Sequence, residues 1–137
     1  MFKSAALAVA LATALTTTLA LPAVAQDHSR TERVQFARGA SSTVLHGSIH
    51  GYDLVDYVLN ARQGQTLDIS MRTSSTAAYF NVTPKGADTA IFVGSTSGNA
   101  FSGALPANGD YVVRVYLMRS AARRGEHADY TLNIGIR

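Results

Sequence analysis

Arg119, Arg123 and Arg124 stand close together in the run Met118-Arg119-Ser120-Ala121-Ala122-Arg123-Arg124-Gly125. A guanidinium presents a planar fork of N–H donors that matches a carboxylate or a phosphate bidentately, so a cluster of them, with a hydroxyl at Ser120, could grip an anion. The ordinary account of such a run is a solvated loop tip, because surface arginines usually serve solubility. The residues before it argue for more. Tyr111, Val113, Val115 and Leu117 alternate with Val112, Arg114, Tyr116 and Met118, which predicts a strand with one apolar face. That strand would deliver the arginines to an exposed loop, and the small Ala121-Ala122 pair would leave the loop narrow enough to enter a cleft.

Other combinations carry less chemistry. His46 and His50 lie four apart with Asp53 nearby, a set that could begin a metal site. Three polar residues on a solvated face account for them far better, since neither a cysteine nor a carboxylate pair at fixed spacing supports a metal set, so no metal or cofactor is expected. Serines are plentiful, but none sits in a Gly-x-Ser-x-Gly elbow, so a hydrolytic triad is not expected and the chain does not read as an enzyme. Asn81-Val82-Thr83 matches a glycosylation acceptor but falls in a strand pattern just before Pro84 and carries no weight here.

The first residues read as a targeting segment. Lys3 is followed by an uncharged run from Ser4 to Leu21 and then by Pro22-Ala23-Val24-Ala25, a small-residue cleavage site. A retained membrane anchor would need a longer, purer apolar run than one at the lower length limit diluted by threonines. Residues 1–25 are therefore expected to be a cleaved signal peptide, residues 26–32 a flexible tail and residues 33–137 a single domain with one core. Without cysteine that domain must be held by its core, which suits a bacterial periplasm. Once Lys3 leaves with the leader, the formal charge falls from +3 to +2, too mild a balance to suggest nucleic acid. No later segment is apolar for long enough to cross a membrane by helix, so no membrane partner is expected after cleavage.

The elements that must position the arginines are all strands. Val34 and Phe36 begin a short strand, and Arg38 to Ser42 turn. Val44 to Ile49 extend, and Gly51-Tyr52-Asp53 makes a corner. Asp56 to Ala61 places Tyr57, Leu59 and Ala61 on one face. Thr66 to Arg72 does the same with Leu67, Ile69 and Met71, and the two are expected to pair as an antiparallel hairpin. Ala78 to Val82, Thr89 to Val93 and Ala100 to Leu105 follow, with a loop at Gly94 to Gly98. A turn at Pro106 to Asp110 leads into the arginine-bearing strand, and Ala128 to Ile136 closes the chain with Tyr130, Leu132, Ile134 and Ile136 inward. About eight short strands without a helical period predict an all-β antiparallel sandwich.

The chain resembles the periplasmic inhibitors of goose-type (g-type) lysozyme. The likeness runs from Val34-Gln35-Phe36-Ala37-Arg38-Gly39-Ala40-Ser41-Ser42 through Gly47-Ser48-Ile49-His50-Gly51-Tyr52-Asp53, Tyr57, Ala61 and Gly64-Gln65. It resumes at Leu105-Pro106-Ala107-Asn108-Gly109, the strand Tyr111 to Val115, and Arg119-Ser120-Ala121-Ala122-Arg123, then takes in Tyr130 and the last strand. The resemblance implies a β-sandwich that blocks the acidic active-site cleft of g-type lysozyme with an arginine-bearing loop. It assigns partner-binding roles to Arg119, Arg123 and Tyr52, with Ser120 and Arg124 beside them. The chain departs from the family pattern after the loop, continuing as Arg124-Gly125-Glu126-His127 rather than as a lysine-rich run.

Asp56-Tyr57, Gly64-Gln65, Gly109-Asp110-Tyr111 and Asp129-Tyr130-Thr131-Leu132 are also similar to the bacterial pre-peptidase C-terminal domain, which implies a carbohydrate- or cell-wall-binding module as the alternative. In that case aromatics such as Tyr52 or Tyr116 would carry the binding. The leader has its own test. Mass spectrometry of the exported form is expected to find Gln26 as the first residue, and an intact Met1 would contradict cleavage.

Overall fold

The computed structural model describes Ala20 and residues 28–137. Apart from Ala20, the leader assigned to residues 1–25 lies outside the described residues, as do residues 26 and 27 of the tail. The elements are β1 (Ser29–Arg33), β2 (Ser42–His50), β3 (Leu54–Ala61), β4 (Thr66–Thr73), β5 (Ala78–Pro84), β6 (Phe92–Val93), α1 (Gly94–Ser97), β7 (Ala100–Ala104), β8 (Gly109–Leu117), α2 (Arg119–Arg123) and β9 (His127–Ile136). They form a five-stranded sheet in the order β1-β3-β8-β5-β6 and a four-stranded sheet in the order β2-β9-β4-β7, packed as an all-β sandwich. Among the described residues only β1 and β3 pair in parallel.

Alternation predicted the buried faces well, because a strand shows opposite faces at successive residues. Tyr111, Val113, Val115 and Leu117 of β8 are buried, as are Leu67, Ile69 and Met71 of β4 and Tyr130, Leu132 and Ile134 of β9. Tyr57 of β3 and Tyr130 of β9 span the gap between the sheets, their hydroxyls 2.6 Å apart and their rings edge-on. This bond satisfies two phenolic groups that the interior would otherwise leave unpaired. Burial and the shared bond together push the Tyr130 hydroxyl well above the ordinary phenol pKa. The Tyr130 ring lies over Gly47, where an added Cβ would fall 2.3 Å from the hydroxyl oxygen, so β2 needs a glycine at that point.

Pairing was less legible than burial. β3 and β4 do not form the expected hairpin: β3 pairs with β1 and β8, whereas β4 pairs with β7 and β9. The turn between them, closed by the Arg62 N–H on Gln65 Oε1 at 2.8 Å and by Gly64 at φ 87°, carries the chain from one sheet to the other. Each strand's apolar face meets the core from its own side, and periodicity is blind to which edge is then paired.

Residues 29–32, expected in a flexible tail, belong to β1 instead. All five residues of β1 are exposed, so no apolar period marks them. The strand is held by its backbone ladder to β3 and by Arg33, whose Nη2 donates to Asp110 Oδ2 at 3.0 Å. Its charged side chains suit an edge strand, which must not invite further pairing. The strand expected at Val34 and Phe36 is irregular chain beyond the end of β1. The expected 89–93 strand shortens to β6, and the predicted loop at Gly94 to Gly98 contains the turn of helix α1.

Leu132 is fully enclosed. Leu132→Ala is expected to cost about 2–5 kcal/mol of stability, from lost burial plus the residual cavity. A thermal or urea melt reads this directly, and an unchanged midpoint would refute the placement of β9 at the centre of the core.

Candidate functional site

Three connections cross between the sheets at one end of the sandwich: 51–53 after β2, 74–77 after β4 and 118–126 after β8. The strand registers bring them together, pairing His50 with His127, Thr73 with Tyr130 and Ala78 with Leu117. Backbone hydrogen bonds then tie the crossings to one another. Met118 N–H donates to Ala77 O at 2.9 Å, and Gly51 N–H donates to Glu126 O at 2.9 Å.

The arginine-bearing segment is not the open loop expected from the sequence. Residues Arg119–Arg123 form the helical turn α2, and Ala121 and Ala122 are buried in the core. Alanine suits this place twice, having high helix propensity and a side chain small enough to fit between the ends of two sheets. The alanine pair therefore anchors the segment and does not slim it for entry into a cleft. What projects from the protein is the other side of the turn, carrying exposed Arg119, Ser120, Arg123 and Arg124.

The exposed arginines are not equivalent. Arg124 Nε donates to Glu126 Oε2 at 2.8 Å and its Nη2 reaches the same oxygen, so the residue is already neutralised within its own turn. Arg119 and Arg123 have no ion-pair partner among the described residues. Their i, i+4 spacing puts them on one face of α2, where like charges repel by about 0.2–0.5 kcal/mol. An anion bridging them would relieve that repulsion.

Tyr52 joins this end through the Gly51 corner. Gly51 adopts φ 59°, and Asp53 closes the turn by accepting His50 N–H on Oδ2 at 3.1 Å and His28 N–H on Oδ1 at 2.8 Å. The corner leaves Tyr52 at 45% exposure. Tyr52 and Arg119 line one open groove of about 340 Å³, whose floor includes Arg114, Asn81 and Tyr116. Arg123 stands one turn further along and is outside that lining.

The floor residues were only partly legible in the sequence. Arg114 and Tyr116 fall on the outward face of β8 as its alternation predicts, but their partners lie far away in the chain. Arg114 grips Asp56 with Nε at 2.7 Å from Oδ1 and Nη2 at 2.8 Å from Oδ2. This bidentate bond raises the guanidinium pKa further above its ordinary value. Arg114 thus belongs to a structural pair, apart from the free charges of the turn. His46, His50 and Asp53 do not gather into a site: His46 Nδ1 bonds Thr131 Oγ1 at 3.1 Å, while both Asp53 oxygens face backbone amides. Among the described residues no three His, Cys, Asp or Glu side chains converge as metal ligands.

A small all-β sandwich thus displays, at one end, a tyrosine and two arginines without ion-pair partners among the described residues. No protein-family model matches the chain. It is 31% identical over 107 residues to the inhibitor of g-type lysozyme of Escherichia coli strain K12, covering 76% of this chain and 79% of that protein. On that likeness, the chain belongs to the family of g-type lysozyme inhibitors.

The crystal structure of Aeromonas hydrophila PliG, a periplasmic inhibitor of g-type lysozyme, matches with a TM-score of 0.74 and 42% identity, over 82% of this chain and 100% of that one. Salmonella Typhimurium PliG, of the same description, gives a TM-score of 0.65 and 28% identity over 79% and 98%. These relatives are inhibitors, not enzymes. The pre-peptidase C-terminal domain of a Bacillus anthracis collagenase gives a TM-score of 0.52 at 16% identity, covering 82% of this chain and 97% of that one, and so shares the fold alone.

Ala121 is fully enclosed beneath the arginine turn. Ala121→Leu is expected to overpack this end, destabilise the protein by about 1–3 kcal/mol and displace α2. A melt gives the first effect, and altered amide shifts of residues 118–126 would report the second.

Proposed function

We propose that this protein is a periplasmic inhibitor of g-type lysozyme and that it occludes the enzyme's acidic active-site cleft with Arg119 and Arg123, flanked by Tyr52. Its family membership and the periplasmic description of its structural relatives support the class and the compartment. The observation that carries the mechanism is the arginine pair itself: two exposed cations without ion-pair partners among the described residues, four residues apart on a turn whose other side is anchored in the core. A glycosidase cleft keeps a carboxylic acid in a partly desolvated groove, where it must donate a proton to the leaving sugar. A guanidinium docked there holds that group as a carboxylate and excludes the substrate at the same time.

The turn is blunt, so its reach comes from the arginine and tyrosine side chains. Because the backbone beneath is fixed, little conformational freedom is lost there on docking. Ser120, exposed beside Arg119, would offer a hydroxyl to the cleft wall. Arg124, held by Glu126, contributes at the rim. The carbohydrate-module alternative has the shared sandwich and the Tyr52–Tyr116 lining of one groove in its favour, but it gives the two arginines without partners no role.

Inhibition of a g-type lysozyme on cell-wall substrate tests this reading. Arg119→Ala or Arg123→Ala is expected to cost about 2–5 kcal/mol of binding, by leaving the enzyme's carboxylate without its partner. This corresponds to a loss in affinity of about 30-fold to several-thousand-fold. Lysine at either position should restore only part, since it keeps the charge and loses the fork. Exposed Arg72, on the outer face of β4, should be silent as Ala. Full inhibition by a folded Arg119→Ala, Arg123→Ala double variant would overturn the mechanism.

A further inference from the structure

The outer face of the five-stranded sheet carries a second recess, of about 270 Å³, between the Asp56–Arg114 pair and the turn that contains Lys85. It shares Asn81 and Arg114 with the Tyr52–Arg119 groove, so the two make one furrow from α2 to the turn after β5. The polar groups of this furrow divide sharply by the bonds they already make. Both oxygens of Asp53 accept backbone amides, and both oxygens of Asp56 accept from Arg114. Asp110, near Lys85, is likewise taken by Asn60 and Arg33.

Asn81 Oδ1 accepts from Gly94 N–H at 3.2 Å and from the Tyr116 hydroxyl at 3.0 Å. A backbone N–H can only donate, so the amide oxygen is fixed on that side and Nδ2 is left as a donor with no partner among the described residues. Lys85 has no ion-pair partner among them either. The carboxylates along the furrow are thus already engaged from within, while Lys85, Arg119 and the Asn81 Nδ2, which have no partner among the described residues, are donors; the Thr83, Tyr52 and Tyr116 hydroxyls can serve either way. A segment bearing carboxylates would neutralise the charges of Lys85 and Arg119 and accept from Asn81 Nδ2, whereas a neutral sugar would leave those charges unmatched.

We propose that this furrow is the second half of the enzyme-docking surface, in which Asn81 and Lys85 receive a carboxylate-bearing segment at the rim of the lysozyme cleft. The inference rests on the lysozyme-inhibitor reading above and extends its footprint from the end of the sandwich onto the sheet face. The hydrogen bonds that lock Asn81, Tyr116 and Arg114 preorganise it, as is common for groups that dominate binding.

The test measures inhibition and association rate on a g-type lysozyme for Asn81→Asp and Lys85→Glu, with the arginine double variant alongside and a melt for each. Asn81→Asp keeps the accepting oxygen and replaces the Nδ2 donor with a second acceptor. It is expected to weaken inhibition about ten- to a hundredfold. Lys85→Glu is expected to slow association several-fold at low ionic strength, with the difference closing at about 0.5 M salt. Wild-type inhibition and association by both variants, while the arginine double variant fails, would overturn the furrow and leave the arginine mechanism standing. Should Asn81→Asp not fold, Lys85→Glu on its exposed turn decides alone. If the wild-type protein inhibits no g-type lysozyme, the underlying reading falls and this one with it. Furrow-dependent retention of soluble cell-wall glycan with unchanged lysozyme inhibition would also overturn it.

Discussion

The interior strands β8 and β9 belong to different sheets, and residues 118–126 are the link between them. Ala121 and Ala122 are the two side chains of that link that enter the core. Their burial shapes everything at this end of the molecule. It closes the open end of the sandwich, winds the link into a helical turn, and dictates that residues 119 and 123 project together on the far side. The Gly51 corner and the 74–77 crossing then hydrogen-bond to the flanks of the same link or its neighbouring strand, so Tyr52 is positioned by the same constraint.

Charge at this end is partitioned by geometry. Arg124 and Arg114 are matched by Glu126 and Asp56, whereas Arg119 and Arg123 remain adjacent and unmatched among the described residues. An unpaired cation pair gives folding no benefit and costs a little through mutual repulsion. Such a cost is understandable where the charges serve an external partner. The bidentate Arg114–Asp56 pair has the complementary role of stiffening the sheet face beside the groove.

The sandwich itself does not choose a function. The collagenase domain shares this fold at 16% identity, while the periplasmic inhibitors share it at 28–42%. What differs between two such sandwiches is the end that carries the crossings, where this chain exposes Arg119 and Arg123 without ion-pair partners among the described residues. Fold supplies a platform, and local chemistry supplies the partner.

Much of the sandwich could be read in the sequence because burial in a strand repeats every second residue. The faces of β4, β8 and β9 followed from that repeat, whereas the arginine cluster was visible by residue type but expected on an open loop and not on a helical turn. Strand β1 left no such trace, since all its side chains face water and only its backbone is engaged. The pairing of β3 with β8 and of β4 with β9 was equally hidden, because alternation names the buried face and is silent about the neighbouring edge. Tertiary structure also decided the meaning of Ala121-Ala122: small residues suit a thin exposed loop as well as a tight buried turn, and only contact with the rest of the chain distinguishes the two. The union of Arg114 with Asp56, and of Asn81 with Tyr116, depends on strands brought together from 58 and 35 residues apart, a proximity that exists only once both have joined one sheet.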